Sequence, residues 1–64
     1  DMLRRLFECY VSDPDRLPPE FQDIREREGV ERAVCDYIAG MTDQYAITKF
    51  SEYFLPQAWQ VDGY

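Results

Sequence analysis

Four large apolar residues near the start of the chain recur at spacings of three and four positions. They are Leu3, Leu6, Phe7 and Tyr10. This spacing places them on one face of an amphipathic α-helix. The prolines that follow end the helix, because a proline disfavours helical geometry at the residue before it. The pattern therefore predicts a first helix over residues 1–11 and a proline-rich turn over residues 12–19.

The next segment is short and highly charged, with Phe21 and Ile24 as its apolar anchors. Pro19 is tolerated in a first helical turn, and Gly29 suits the end of a helix. These features predict a second helix over residues 19–28. Its arginines allow two interpretations: a solvated charged face, which the interleaved acids favour, or an anion clamp. The residues available for a clamp are Arg25, Arg27 and Arg32.

Residues 30–46 have the strongest apolar pattern and are predicted to form one central helix. Consecutive residues of an α-helix are about 100° apart, and on this spacing six large side chains share one side. They are Val30, Val34, Tyr37, Ile38, Met41 and Tyr45. Four small residues form the adjacent stripe. They are Cys35, Ala39, Thr42 and Ala46. Because small residues let another helix approach closely, we predict close helix packing along this stripe.

A narrow polar stripe completes the predicted central helix, formed by Arg32, Asp36 and Asp43 with Gly40 at its edge. Arg32 and Asp36 stand four residues apart, so a salt bridge between them is sterically possible. Glycine inside a helix costs about 1 kcal/mol relative to alanine, and close approach of another chain segment would explain that cost. The stripe is therefore either a solvated face or a contact surface toward a neighbouring domain or pocket, and Gly40 favours the contact surface.

The remaining residues predict a short helix over 48–54, with Thr48 as its N-cap, and an aromatic tail over 55–64. Pro56 ends the helix, and Trp59 is expected to dock on the body or on surface outside this chain. No alternating apolar pattern predicts a hairpin. The predicted class is all-α: a small array of three to four helices.

The length of 64 residues limits how stable this array can be on its own. A domain of this size buries only about 60% of the surface that its unfolded chain exposes. An apolar fraction of 45% nevertheless indicates a folded chain. The sequence begins at Asp1 within a helical pattern, so we expect a fragment of a larger α-helical enzyme. Cys9 and Cys35 are expected to be small core residues, reduced in the cytoplasm, rather than a disulfide.

Charge and the absence of histidine narrow the possible functions. The net charge of −6 argues against binding to nucleic acid or to an anionic membrane surface. No apolar run approaches the length of a membrane span. With no histidine, the chain lacks the commonest general base and the commonest metal ligand.

The stretch "VCDYIAGMTDQYA" (residues 34–46), preceded by "GVERA" and followed by "FSEYF", resembles a known family. It is similar to a region near the C-terminus of the bacterial deoxynucleoside triphosphate triphosphohydrolases, the deoxyguanosine-triphosphatase-like members of the HD-domain superfamily. The upstream "LFECYVSDPDRLPPEF" resembles the helix, turn and short helix that precede this region in the family. The resemblance runs from about Leu3 to Phe54, and its specific part is Asp36–Ala46.

This resemblance implies a parent enzyme that converts a deoxynucleoside triphosphate, such as dGTP, to the deoxynucleoside and triphosphate. A divalent metal such as Mg or Mn, held by His and Asp residues of the HD signature, would serve that reaction. The implied partners of this chain are the N-terminal HD catalytic body and further copies in a homo-oligomer. We expect no catalytic, cofactor-binding or metal-ligating residue in this chain. Gln44 departs from the family, in which many relatives carry Arg.

Two function classes therefore compete. In the first, the chain is a structural, assembly-related segment of such a hydrolase, and the polar stripe contacts the catalytic body. In the second, it is a stand-alone acidic helical protein-interaction module with no catalytic activity, whose aromatic residues bind a partner helix.

Overall fold

The structure, a computed structural model, describes residues 1–54 and contains four α-helices and one 3₁₀ turn in that range. Their bounds are α1, Met2–Ser12; the 3₁₀ turn, Pro14–Arg16; α2, Pro19–Glu28; α3, Val30–Ala39; and α4, Asp43–Phe54. No strand occurs in this part of the chain. The predicted all-α class is confirmed. The predicted tail, with Trp59, lies outside the described residues.

The ends of α1 follow from local hydrogen bonding. The Asp1 carboxylate accepts a bond from the Leu3 backbone N–H at 3.2 Å, which satisfies one of the free donors of the first turn. At the other end, the Asp13 N–H donates to the Cys9 carbonyl at 3.0 Å, and Pro14 follows. The chain then makes the short 3₁₀ turn where the sequence predicts a proline-rich turn.

Gly29 sets the corner between α2 and α3. Its φ of +98° lies in the region that residues with a side chain rarely adopt. Its N–H donates to the Arg25 carbonyl at 2.9 Å, which closes the end of α2. The two helices then fold back on each other, and the ring of Phe21 comes within 5.0 Å of the ring of Tyr37. This corner positions the surfaces described below.

The core lies where α1, α3 and α4 meet the 3₁₀ turn. Seven residues are buried: Leu6, Tyr10, Leu17, Ala33, Val34, Tyr37 and Ala46. Each helix except α2 contributes at least one of them. The apolar anchors of α2, Phe21 and Ile24, are partly buried against this cluster. α2 therefore packs against the outside of the core and contributes no fully buried residue.

The single central helix predicted over residues 30–46 is wrong, because α3 ends at Ala39 and a new helix begins at Asp43. Gly40 closes α3 by donating its N–H to the carbonyls of Asp36 and Tyr37, each at 3.3 Å. Thr42 then opens α4, because its hydroxyl accepts a bond from the Tyr45 N–H at 3.1 Å. This is N-cap geometry, and a threonine in that role competes with continuing the helix.

The break also corrects the predicted start of the last helix and its cap. α4 begins at Asp43 rather than at residue 48, so Thr48 lies within the helix and is not an N-cap. Its hydroxyl donates to the Gln44 carbonyl at 3.0 Å, which is the usual bond of a threonine inside a helix.

The stripe of four small residues does not form, because it required one unbroken helix. Cys35 and Ala39 are exposed on α3, and Thr42 is exposed in the connection. Ala46 alone of the four is buried, in α4. Among residues 1–54, therefore, no helix packs closely along this set.

Candidate functional site

The predicted polar stripe is reduced to an ion pair, which we call the polar ridge (Arg32 and Asp36). The Arg32 Nε–H donates to both carboxylate oxygens of Asp36 at 3.3 Å. Both side chains are well exposed, at 62% and 41%. An exposed pair of this kind stabilises a helix by about 0–1 kcal/mol. The ridge is thus a solvated feature of the described surface.

The other two members of the stripe lie elsewhere. Gly40 ends α3, and Asp43 stands in the first turn of α4, where a carboxylate is favourable near the helix N-terminus. Gly40 has a φ of −89°, which any residue adopts. A Cβ added there would lie 3.7 Å from its nearest neighbour, the Asp36 carbonyl oxygen, which is ordinary contact. No segment within residues 1–54 therefore requires glycine here, and contact between the stripe and a catalytic body stays a prediction.

The three arginines considered for an anion clamp are all engaged by acidic neighbours. Arg25 donates to Asp15 at 2.9 Å. Arg27 lies 3.4 Å from Asp23. With Arg32 held by Asp36, none of the three guanidinium groups lacks an acidic partner, so a clamp would have to displace an existing pair.

The structure instead assembles a cluster of aromatic side chains around Tyr37. Its ring lies 5.2 Å from that of Tyr10, 5.0 Å from that of Phe21 and 6.2 Å from that of Tyr45. The contacts with the two tyrosines are edge-to-face, a preferred geometry for aromatic pairs. Tyr37 therefore joins all four helices, since Tyr10 belongs to α1, Phe21 to α2 and Tyr45 to α4.

Tyr37 and Tyr45 share a hydrogen bond between their hydroxyl groups at 2.8 Å. Tyr37 is 7% exposed and Tyr45 is 40% exposed. Burial, followed by the bond to Tyr45, raises the pKa of Tyr37 well above its usual value, so this phenol stays protonated. Two hydroxyl groups hold two protons, and the bond between them uses one. When Tyr37 donates, the hydroxyl proton of the exposed Tyr45 remains available for a hydrogen bond to a ligand.

An open cleft of about 390 Å³ lies beside this pair, and we call it the tyrosine cleft. Its lining comes from α2, α3, α4 and the break between α3 and α4, with Pro18 just before α2: Pro18, Glu20, Phe21, Tyr37, Gly40, Met41, Thr42 and Tyr45. Its walls are aromatic and aliphatic, while Glu20 supplies its only ionisable carboxylate among these residues. This combination of apolar walls and few polar groups is typical of a binding site.

Tyr53 also contacts Tyr10, with a ring distance of 5.3 Å. Its hydroxyl is buried and has no hydrogen-bond partner within residues 1–54. Burial raises the pKa of Tyr53 to about 12, although the nearby Arg16 opposes the rise. The Arg16 guanidinium lies 4.4 Å from the ring centroid. The aromatic cluster thus has one satisfied end, at Tyr45, and one unsatisfied end, at Tyr53.

The apolar pattern placed Tyr37 and Tyr45 on one side of a helix but did not reveal the cleft. A signal was present in "GMTD" (residues 40–43), which combines a glycine that ends a helix with a threonine that begins one. A break at this point creates the opening next to the tyrosines. The cleft was therefore missed because the apolar pattern predicted one unbroken helix.

Comparison with known proteins identifies the family. Residues 1–52 match the model of the phosphohydrolase-associated domain, which is most of the chain. The chain belongs to this family. The match includes the tyrosine cleft and the polar ridge.

Relatives of this phosphohydrolase-associated domain have the name deoxyguanosinetriphosphate triphosphohydrolase-like protein. One from Caldanaerobacter subterraneus is 48% identical over 58 residues, which cover 91% of this chain and 17% of the relative. One from Geobacter metallireducens is 54% identical over 54 residues, which cover 84% of this chain and 14% of the relative. The chain therefore spans about one sixth of the length of these curated relatives. No solved structure matches the chain.

In the part of the phosphohydrolase-associated domain that the structure describes, the possible metal ligands are not grouped. No three acidic or cysteine side chains between residues 1 and 54 lie together as a metal site. No helix in the same range is long and apolar enough to cross a membrane.

Proposed function

We propose that this chain is the phosphohydrolase-associated segment of a metal-dependent enzyme that hydrolyses a deoxynucleoside triphosphate. A dGTP-like substrate would yield the deoxynucleoside and triphosphate. The observation that carries the proposal is the family match over residues 1–52, with relatives of that activity's name at 48% and 54% identity. Those relatives are about six times as long, so the activity would belong to a longer protein.

In this proposal the segment is structural and related to assembly, and its partner is an N-terminal HD catalytic body. Several large apolar side chains are exposed and available for such a contact. They are Leu3, Tyr45, Ile47 and Phe54, each 40–46% exposed. Groups of exposed apolar residues commonly mark contact surfaces.

The divalent metal of the reaction would be bound outside this segment. A phosphate-activating metal needs several oxygen or nitrogen ligands that converge on one point. Residues 1–54 do not provide them, and the sequence has no histidine. No catalytic step is therefore assigned to a residue of this chain.

The direct test is triphosphate release from dGTP by the full-length enzyme in the presence of Mg²⁺ or Mn²⁺. The 64-residue chain alone serves as the control. We expect turnover by the full-length enzyme and none by the chain. Turnover by the chain alone would contradict the structural role, and a full-length protein that hydrolyses no deoxynucleoside triphosphate would contradict the proposed activity.

The second candidate, an acidic protein-interaction module, draws on the same exposed apolar residues. It differs in requiring no hydrolase in the same polypeptide. A full-length protein without triphosphohydrolase activity that still forms a stable complex through Tyr45 would favour the module.

A further inference from the structure

The tyrosine cleft combines aromatic walls with one carboxylate, Glu20, that makes no salt bridge within residues 1–54. We propose, building on the function above, that this cleft binds an arginine side chain from the enzyme's polypeptide outside residues 1–64. The arginine would stack on the exposed ring of Tyr45 and pair with Glu20. The cleft would then be a point at which the segment attaches to the rest of the enzyme.

The walls of the cleft suit a guanidinium group. Tyr45 lines the opening with a ring that is 40% exposed, whereas Tyr37, which stands at 82° to it, is almost fully buried. A planar cation binds favourably over an aromatic face. The same chain already uses this contact elsewhere: Arg5 lies 5.1 Å from the ring centroid of Phe54, and Arg16 lies 4.4 Å from that of Tyr53.

The charge at the cleft is negative and has no partner nearby. Glu20 is exposed and makes no salt bridge with the described part of the chain. Lys49 lies 5.4 Å from the ring of Tyr45, but it does not line the cleft and pairs with Glu52 at 3.4 Å. A cation in the cleft would therefore complete an arrangement that has an acid and aromatic rings but no base.

The chain itself has no basic residue free for this role. All seven of its Lys and Arg residues lie at or before Lys49. Five of them pair with acids, and the other two, Arg5 and Arg16, lie over aromatic rings. Residues 55–64 contain no Lys or Arg. The occupant must therefore come from another part of the enzyme.

Other ligand classes fit less well. A nucleotide phosphate or nucleic-acid backbone would be repelled by Glu20, since like charges disfavour each other. A purely apolar side chain would remove the Glu20 carboxylate from water without a partner, which is unfavourable. An arginine satisfies both the rings and the carboxylate, and its guanidinium donates several hydrogen bonds in one plane.

The test is site-specific photo-cross-linking in the full-length enzyme, with a benzophenone amino acid in place of Gly40. This position lines the cleft, is exposed, and has room for a Cβ. The matched control carries the same probe at Ala39, which is exposed but does not line the cleft. Cross-linked peptides are mapped by mass spectrometry.

We expect the Gly40 probe to join a peptide from outside residues 1–64 that contains an arginine, and the Ala39 probe not to join it. Three results would overturn the inference: cross-links to residues 55–64, cross-links to a peptide without a basic residue, or no cross-link. Triphosphate release measured on the same preparations separates the outcomes. If the enzyme hydrolyses dGTP but gives one of these three results, the proposed function stands and the proposed arginine site is wrong.

A second arm tests the carboxylate by hydrogen exchange in the full-length enzyme. Glu20→Gln removes the charge-assisted bond, so amides at residues 40–46 are expected to exchange about tenfold faster. Glu26→Gln is the control, because Glu26 is exposed on the same helix but does not line the cleft. Equal exchange in the two variants would contradict a role for Glu20.

Discussion

Two parts of α3 differ in what holds them: the polar ridge and the surroundings of Tyr37. The ridge pairs Arg32 with Asp36 in water, where solvent and salt weaken the attraction. Tyr37, one residue further along, is buried among three aromatic rings and bonds to Tyr45. Spacing alone identifies a possible pair, whereas burial decides how much that pair stabilises the fold.

The largest expected effect is at Tyr37. Tyr37→Ala would remove a buried aromatic side chain and leave a cavity, which costs about 3–5 kcal/mol. In a chain of 64 residues this loss is comparable with the whole stability of a small domain. We expect loss of the cooperative transition in a urea titration followed by circular dichroism. Tyr45→Ala, at an exposed ring, is the control and should retain a transition.

A loss in Tyr37→Ala no larger than in Tyr45→Ala would contradict the central position of Tyr37.

The next effect concerns the break that opens the cleft. Thr42→Ala would remove the N-cap of α4 and destabilise the chain by about 1 kcal/mol. Thr48→Ala is the matched control, because Thr48 lies inside α4 and alanine has a higher helix propensity. We expect a lower urea midpoint for Thr42→Ala and an unchanged or higher one for Thr48→Ala. The reverse order would indicate that α4 begins near residue 48.

Removing the hydroxyl group of Tyr53 should affect stability differently from removing that of Tyr37. Tyr53→Phe removes a buried hydroxyl without a partner among residues 1–54, so stability should stay the same or rise. Tyr37→Phe removes a hydrogen-bonded hydroxyl and should cost about 1 kcal/mol. Urea midpoints at pH 7 measure both changes. A clear loss in Tyr53→Phe would mean that its hydroxyl has a partner beyond residue 54 or beyond this chain.

Alkaline pH provides a related prediction at Tyr53. Its pKa is raised from 10.0 in the unfolded chain to about 12 in the folded chain. The unfolded state therefore loses its proton first, and this contribution to stability is present below pH 10 and is lost as pH rises toward about 12. The difference in urea midpoint between Tyr53→Phe and the wild type should shift in favour of the variant over this range. A pH-independent difference would contradict the raised pKa.

The smallest effect is expected at the ridge. Asp36→Asn would remove an exposed ion pair and change stability by about 0–1 kcal/mol, with even less change at 1 M salt. Thermal melts at low and high salt measure this. A loss comparable with that of Tyr37→Ala would reverse the comparison between the two parts of α3.

The sequence predicted the helical class and the first two helices from apolar spacing and from the prolines around them. The prediction of one helix over residues 30–46 failed at Gly40–Thr42. The apolar stripe continues across the break, and apolar spacing does not show that Thr42 caps a new helix. The Arg32–Asp36 pair was predictable, since its four-residue spacing is local. The cleft was not, because Phe21 and Glu20 reach it through the Gly29 corner, which depends on tertiary structure.

The occupant of the tyrosine cleft is tested most directly by carboxylate labelling of the full-length protein, with a carbodiimide and an amine and readout by mass spectrometry. Glu20 and Glu26 are both exposed on α2 and neither is in a salt bridge within the described chain. If the tyrosine cleft holds an arginine from outside residues 1–64, Glu20 will label several-fold more slowly than Glu26. Equal labelling of the two carboxylates would contradict that claim.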